Sequence, residues 1–414
     1  MSDYLPIEDH GLIGDLQTAA LVGKDGTIDW FCAPRFDSPS IFGSILDADD
    51  GGHFRLTVTE PNPVIKQLYM IDTAVLLTRY LTEAGVAEVL DFMPIDQPKT
   101  ASDTHEIFRL ARVVRGEITF SMECSPRFDY GRAEHELTLT DHHALFTSDD
   151  IELSLHATAK LSHAGGKHRR NGVARSEFTL KEGENSGFIL STGPVGREAG
   201  TLAPERVTRM LNDTINYWRT WVNRGTYVGR WREMVNRSAV TIKLLTYAPT
   251  GAMVAAPTTS LPEKVGGPRN WDYRFSWVRD SSFALTALIQ LGYTDEVTEF
   301  LKWLAERVAT ASNHPSGPLK LMYRIDGRTD LVEEDLTNFE GYERSAPVRI
   351  GNGAVDQLQL DIYGEALDAV YQMSKAGRLL GHDAWMDIVS VTNWLAAHWD
   401  QPDEGIWETR GGRK

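Results

Sequence analysis

The sequence predicts a multidomain β plus all-α protein. An N-terminal antiparallel β-sandwich is expected over residues 1–202, a linker helix over 203–229 and an all-helical part over 230–414. Three observations carry this. At roughly 100–200 residues per domain, a 414-residue chain implies two or three domains. Up to about residue 200, short apolar and β-branched runs recur between Gly, Pro, Asp and Asn. Near Pro204 the hydrophobic period changes from that of a strand to that of a helix.

The β part contains runs at Ala74 to Leu81, Val86 to Phe92, Ile107 to Val114, Ile118 to Cys124 and Ile151 to Ala157. Alternation within Glu117-Ile-Thr-Phe-Ser-Met fits a sheet with one wet face. Many short strands without helical patches suggest a sandwich. Gly165 to Gly172 reads as a basic hairpin loop. Pro204 suits a first helical turn. Val207, Met210, Leu211, Ile215 and Trp218 then follow at helical spacing. Further helices are expected at about 230–247, 277–291, 295–311, 355–377 and 382–399. The loops between them, about 248–276 and 312–354, are long enough to suggest function.

Composition narrows the function classes. With 42% hydrophobic and 24% charged residues the chain can bury a real core. A net charge of −16 repels phosphate backbones, which argues against nucleic acid as a partner. Two cysteines build neither a disulfide framework nor a cysteine-based zinc site. No apolar run approaches the roughly 20 residues that cross a bilayer, and the start lacks a basic, apolar leader. A cytoplasmic protein without membrane partners is expected, and oligomerisation is left open. Gly351-Asn-Gly-Ala lacks the third glycine and the preceding strand of a dinucleotide fingerprint. Gly166-Lys167 lacks the remainder of a phosphate loop. The twelve His form no metal motif and there is no Gly-x-Ser-x-Gly elbow, so neither a cofactor nor a metal is expected.

Three polar, aromatic segments remain, each beside a helix end. Gly266 to Asp280 crowds Trp271, Asp272, Tyr273, Arg274, Trp277, Arg279 and Asp280 ahead of an apolar helix. Aromatic faces can pack on pyranose C–H groups while Arg–Asp pairs take hydroxyls, although a solvated loop with core aromatics and ion pairs has the same composition. Asp403 to Glu408 places Glu408 directly after Ile406 and Trp407. Apolar flanks raise a carboxyl pKa, as a general acid at neutral pH requires. Arg349 to Asp361 leads into another helix, with capping by Asn352 and Asp356 as the plainer explanation.

The order of these pieces resembles glycoside hydrolase family 15. The resemblance rests on Ile7 to Trp30, Pro34 to Phe42, Thr258 to Glu263, Asn270 to Asp280 and Gly405 to Glu408. It implies an (α/α)6 toroid for the helical part and inverting hydrolysis of an α-glucosidic bond in a small carbohydrate. Within the family the chain is similar to the trehalase branch, with glucoamylases next. Trehalose is therefore the implied substrate and malto-oligosaccharides the alternative. The resemblance implies Glu408 as general acid, Trp407 as its neighbour in the glucose subsite, and Arg279 and Asp280 as grips on the non-reducing glucose. Trp271 and Asp272 join them as substrate contacts. Thr409 stands where fungal glucoamylases carry a second acidic residue. An inverting enzyme also needs a second carboxylate across the sugar. The family takes it from late in the toroid, whereas this sequence reaches Lys414 after about five helices of an expected twelve. An incomplete toroid without its base is thus expected, leaving a sugar-binding or functionless fragment as the competing reading. Glu333 and Glu334 are the substitutes considered for the base.

Overall fold

The computed structural model describes residues 4–164, 171–196, 203–311, 317–377, 381–408 and 410–413. The loop expected at Gly165 to Gly172 falls largely outside them, as does Thr409. The chain forms two compact units. The first is Met1–Val222 with Ser260–Asn270 and Leu336–Val348. The second is Asn223–Thr259, Trp271–Asp335 and Arg349–Lys414.

The first unit is antiparallel β throughout its described strands. Its organising element is the 20-residue strand Glu106–Ser125. The upstream part pairs with Gly85–Phe92 on one side and Asn185–Gly193 on the other. The downstream part pairs with His53–Val58 and Val173–Lys181. One strand therefore serves two sheets. The sequence suggests two strands here, broken by the polar stretch around Gly116. Instead the chain continues through it, with Gly116 in the left-handed region at φ 84°. A Cβ at Gly116 would lie 2.1 Å from the Ala84 carbonyl oxygen, so only glycine fits this crossing.

Alternation places Ile118, Phe120, Met122 and Cys124 in one core with Phe54, Leu56, Leu155 and Phe188 from the neighbouring strands. A second cluster is built from Phe92, Phe108 and Ile189. Helix α1, Pro204–Val222, covers it with Val207, Met210, Leu211 and Ile215. These are the helical-period residues read from the sequence, and their burial is what holds the helix on the sheet. The first unit also takes in Leu336–Val348 from the second long loop. Asn338 donates to the Tyr130 carbonyl at 2.8 Å and the Tyr342 hydroxyl donates to the Leu5 carbonyl at 3.0 Å.

The second unit contains α2 (Arg232–Leu244), α3 (Val278–Gln290), α4 (Thr294–Ala311), α5 (Asp361–Lys375) and α6 (His382–His398). The largest difference from expectation is at α5, expected from about 355. A 3-10 turn at Gly353–Asp356 comes first, with the Asn352 side chain capping the Ala354 N–H at 3.0 Å. Gln357 is then extended, so the α-helix starts only at Asp361. Two short antiparallel ladders, Ser276–Trp277 with Met322–Tyr323 and Glu334–Asp335 with Arg349–Ile350, hold the loops beside these helices. No helix of the described residues is long and apolar enough to cross a membrane.

Candidate active site

The site is assembled within the second unit at the start of α3. The ladder Ser276–Trp277 runs straight into that helix, and the Val278 N–H donates to the Leu321 carbonyl at 3.1 Å. Trp277 is thereby buried, while Arg279 and Asp280 occupy the first helical turn. A carboxylate beside the N-terminus of a helix is favoured by the unpaired N–H groups there.

Glu408 is brought to this turn by a loop tied to the start of α5. The Asp403 carboxylate accepts from the Leu360 and Gly405 N–H groups at 2.9 and 3.0 Å. The Glu404 carboxylate accepts from the Leu358 N–H at 2.8 Å. Glu408 Oε1 then accepts from the Trp277 indole N–H at 2.8 Å and from Arg279 Nη2 at 3.3 Å. Burial raises the Glu408 pKa above the ordinary glutamate value. The Trp277 hydrogen bond and the Arg279 charge oppose the shift without cancelling it.

Arg279 is the hub. Besides Glu408, it lies 3.5 Å from Asp280 and 3.7 Å from Asp361, and it donates to Gln359 at 3.1 Å. Burial raises the pKa of both aspartates, against the pull of Arg279. One guanidinium thus meets three carboxyl groups, two of which burial biases toward the neutral form in addition to Glu408. Such a cluster keeps a proton to higher pH than isolated carboxyl groups do and can present carboxyl oxygens to hydroxyl groups.

The structure brings Glu408, Arg279 and Asp280 together. Trp407 is 78% exposed, leaving its ring open to solvent. The Trp271 ring lies under the guanidinium groups of Arg349 and Arg410, 4.6 and 4.5 Å from its centroid. Asp272 is fully buried. Its carboxylate takes Arg274 at 2.9 and 2.7 Å and the Gly351 N–H at 3.1 Å, so it braces the loop from inside. Glu333 accepts from the Gly353 N–H at 3.0 Å and Arg410 Nη2 at 2.8 Å. Burial alone would raise its pKa, but these donors outweigh burial and lower it. Glu334 lies exposed in its short ladder. Trp277, Gln359 and Asp361 were not among the expected site residues. Trp277 stood inside the aromatic segment, and Asp361 closed the third polar segment, but nothing in their spacing shows that Trp277 meets Glu408 and Asp361 faces Arg279.

Residues 229–414 match the family Glycosyl hydrolases family 15, and residues 2–168 match Trehalase-like, N-terminal. The chain is 38% identical to a trehalase of Mycolicibacterium smegmatis, over 99% of this chain and 63% of the relative. It is 36% identical to a trehalase of Thermoplasma volcanium, over 98% of this chain and 63% of the relative. It is 34% identical to Trehalase 1 of Sulfolobus acidocaldarius, over 98% of this chain and 67% of the relative. The chain spans about 63% of the length of the first two relatives.

Proposed function

The chain belongs to glycosyl hydrolases family 15, and from that membership we propose that it carries the general-acid half of an inverting α-glucosidase whose substrate is trehalose. The observation that carries this reading is Glu408, its pKa raised by burial and its carboxylate held by Trp277 and Arg279. A protonated carboxyl there donates to the glycosidic oxygen as the bond to the anomeric carbon breaks; water attacks the opposite face and must give its proton to a second carboxylate, which the acid half does not include. Arg279 and Asp280 take hydroxyls of the non-reducing glucose, and the exposed Trp407 ring offers an apolar face to it. Trp271 and Asp272 act on the sugar through the loop they brace. The trehalase names of the relatives support trehalose over malto-oligosaccharides.

The same proposal includes the finer architecture: the two sheets as a sandwich, the α-helices as part of an (α/α)6 toroid, and a division at 1–202, 203–229 and 230–414. It also includes a cytoplasmic location, with a small carbohydrate as the partner. The test is glucose release from trehalose, maltose and starch by the chain and by its Glu408→Gln variant. With no second carboxylate assigned as base, the expected result is at most slow release from trehalose, which the variant loses. Release from maltose and starch alone moves the substrate to the glucoamylase type. Sugar binding without release from any of the three supports a binding fragment.

A further inference from the structure

Glu408 sits at φ 50°, in the left-handed region that non-glycine residues seldom occupy. Such a conformation persists only where the chain on both sides is fixed. Upstream, Asp403 and Glu404 fix it through the Leu358 and Leu360 N–H groups. Downstream, Arg410 lies two residues beyond Glu408. Its guanidinium covers the Trp271 ring at 4.5 Å and donates to Glu333 at 2.8 Å. Arg349 covers the same ring at 4.6 Å, with its Nε 3.8 Å from Glu333. Glu333 thus lies beside both cations gathered on one indole, while Asp335 is the nearer carboxylate to Arg349, 3.2 Å from its Nε. The Gly353 N–H donates to the same Glu333 oxygen. A Cβ at Gly353 would lie 2.9 Å from Arg410 Nη1, so glycine leaves room for the guanidinium.

We propose that Arg410, clamped between Trp271 and Glu333, is a positioning residue that holds Glu408 against Trp277 and Arg279. The inference rests on the reading of Glu408 as the acid and extends it to a residue that touches neither the acid nor the sugar. Arg410 supplies a planar face to Trp271 and an N–H from Nη2 to Glu333 at once, a combination that lysine's compact ammonium and alanine do not offer. Releasing it lets the Glu408 carboxyl leave its buried position beside Trp277 and Arg279 for water, where desolvation no longer raises its pKa.

The experiment follows the Glu408 carboxyl carbon by NMR in chain labelled at glutamate, identified by its absence in Glu408→Gln. The Trp277 indole N–H signal is followed in parallel. In Arg410→Ala, and independently in Glu333→Gln, the Glu408 midpoint should fall toward the ordinary glutamate value. The indole signal should move with it. Arg410→Lys should behave like Arg410→Ala, and it stands in for that variant if alanine prevents folding. A midpoint and an indole signal that stay put in folded Arg410 and Glu333 variants overturn the proposal. Glucose release reports on the acid role separately. If Glu408→Gln leaves it intact, the functional reading fails while the titration still decides the clamp. With active chain, Arg410→Ala should lower kcat by about tenfold or more, with KM within about twofold.

Discussion

At Glu408 two demands on one side chain meet. The Trp277 N–H stabilises the carboxylate, whereas burial stabilises the acid, and burial wins. Glu408→Gln keeps the shape and an acceptor for the indole but has no proton to donate. Its kcat should fall by about 10²–10⁴, the usual worth of general acid catalysis; near-normal glucose release would remove Glu408 from that role. The pH profile follows with a definite sign. An acid acts when protonated, so kcat/KM declines as pH rises through its pKa, and the raised pKa carries that decline above the ordinary glutamate range. Trp277→Phe removes the donor that favours the carboxylate and keeps an apolar ring. Its alkaline limb should therefore move to higher pH, and a limb that stays or moves down contradicts the argument. Glu408, Arg279 and Asp280 were singled out through the family resemblance, since the composition of their segments left a solvated loop equally open. Asp272 and Asp280 look alike in the sequence, yet the Asp272–Arg274 pair turns wholly inward. Spacing alone does not reveal which of two Arg–Asp pairs faces the loop and which the interior.

Among the elements, helices were the more legible, since a 3.6-residue apolar stripe leaves a clear period. The limits of α2, α3, α4 and α6 lie within about three residues of expectation. Strand Glu106–Ser125 was not legible as one piece, because its turn to a second sheet depends on Gly116 packing against Ala84. Its fixed point is Arg109, fully buried and paired with the fully buried Asp91 at 2.8 Å. Arg109 also donates to the Gly26 carbonyl at 2.7 Å and covers the Phe54 ring. The side chain thus ties three strands together. Replacing it with methionine leaves Asp91 charged in the interior, a loss of about 3–5 kcal/mol. Adding Asp91→Leu should recover part of that loss. Urea unfolding of the single and double variants checks this, and a single variant within about 0.5 kcal/mol of wild type would show that the pair is not holding the strand.

For the molecule as a whole, two histidines set a dependence of stability on pH that motif reading did not expose. His10 Nδ1 faces the carbonyl oxygens of Pro6 and Ile7 at 3.0 and 3.1 Å, while its Nε2 meets Asp29 at 2.7 Å. His105 Nδ1 meets Asp15 at 2.6 Å and its Nε2 faces the Ser102 carbonyl at 2.9 Å. Each ring therefore has acceptors at both nitrogens and is satisfied as the doubly protonated cation. Burial works against that charge, but the aspartates prevail and raise both histidine pKa values. Asp29 is itself raised by burial, against the pull of His10, which gives the same linkage sign. Near neutral pH each pair thus keeps a proton that the unfolded chain releases. The contribution to stability is complete below the unfolded histidine pKa of about 6.5. It is lost as pH rises through the raised folded values, at up to about 1.4 kcal/mol per pH unit for each pair. Unfolding free energy measured from pH 6 to pH 9 should fall on the alkaline side. In Asp15→Asn the His105 part of that slope should disappear while the His10 part remains. A stability curve that is flat or rising over this range would mean that the rings are neutral in the folded protein. One nitrogen of each would then face an acceptor without a hydrogen to give it, unless the aspartate supplied the proton.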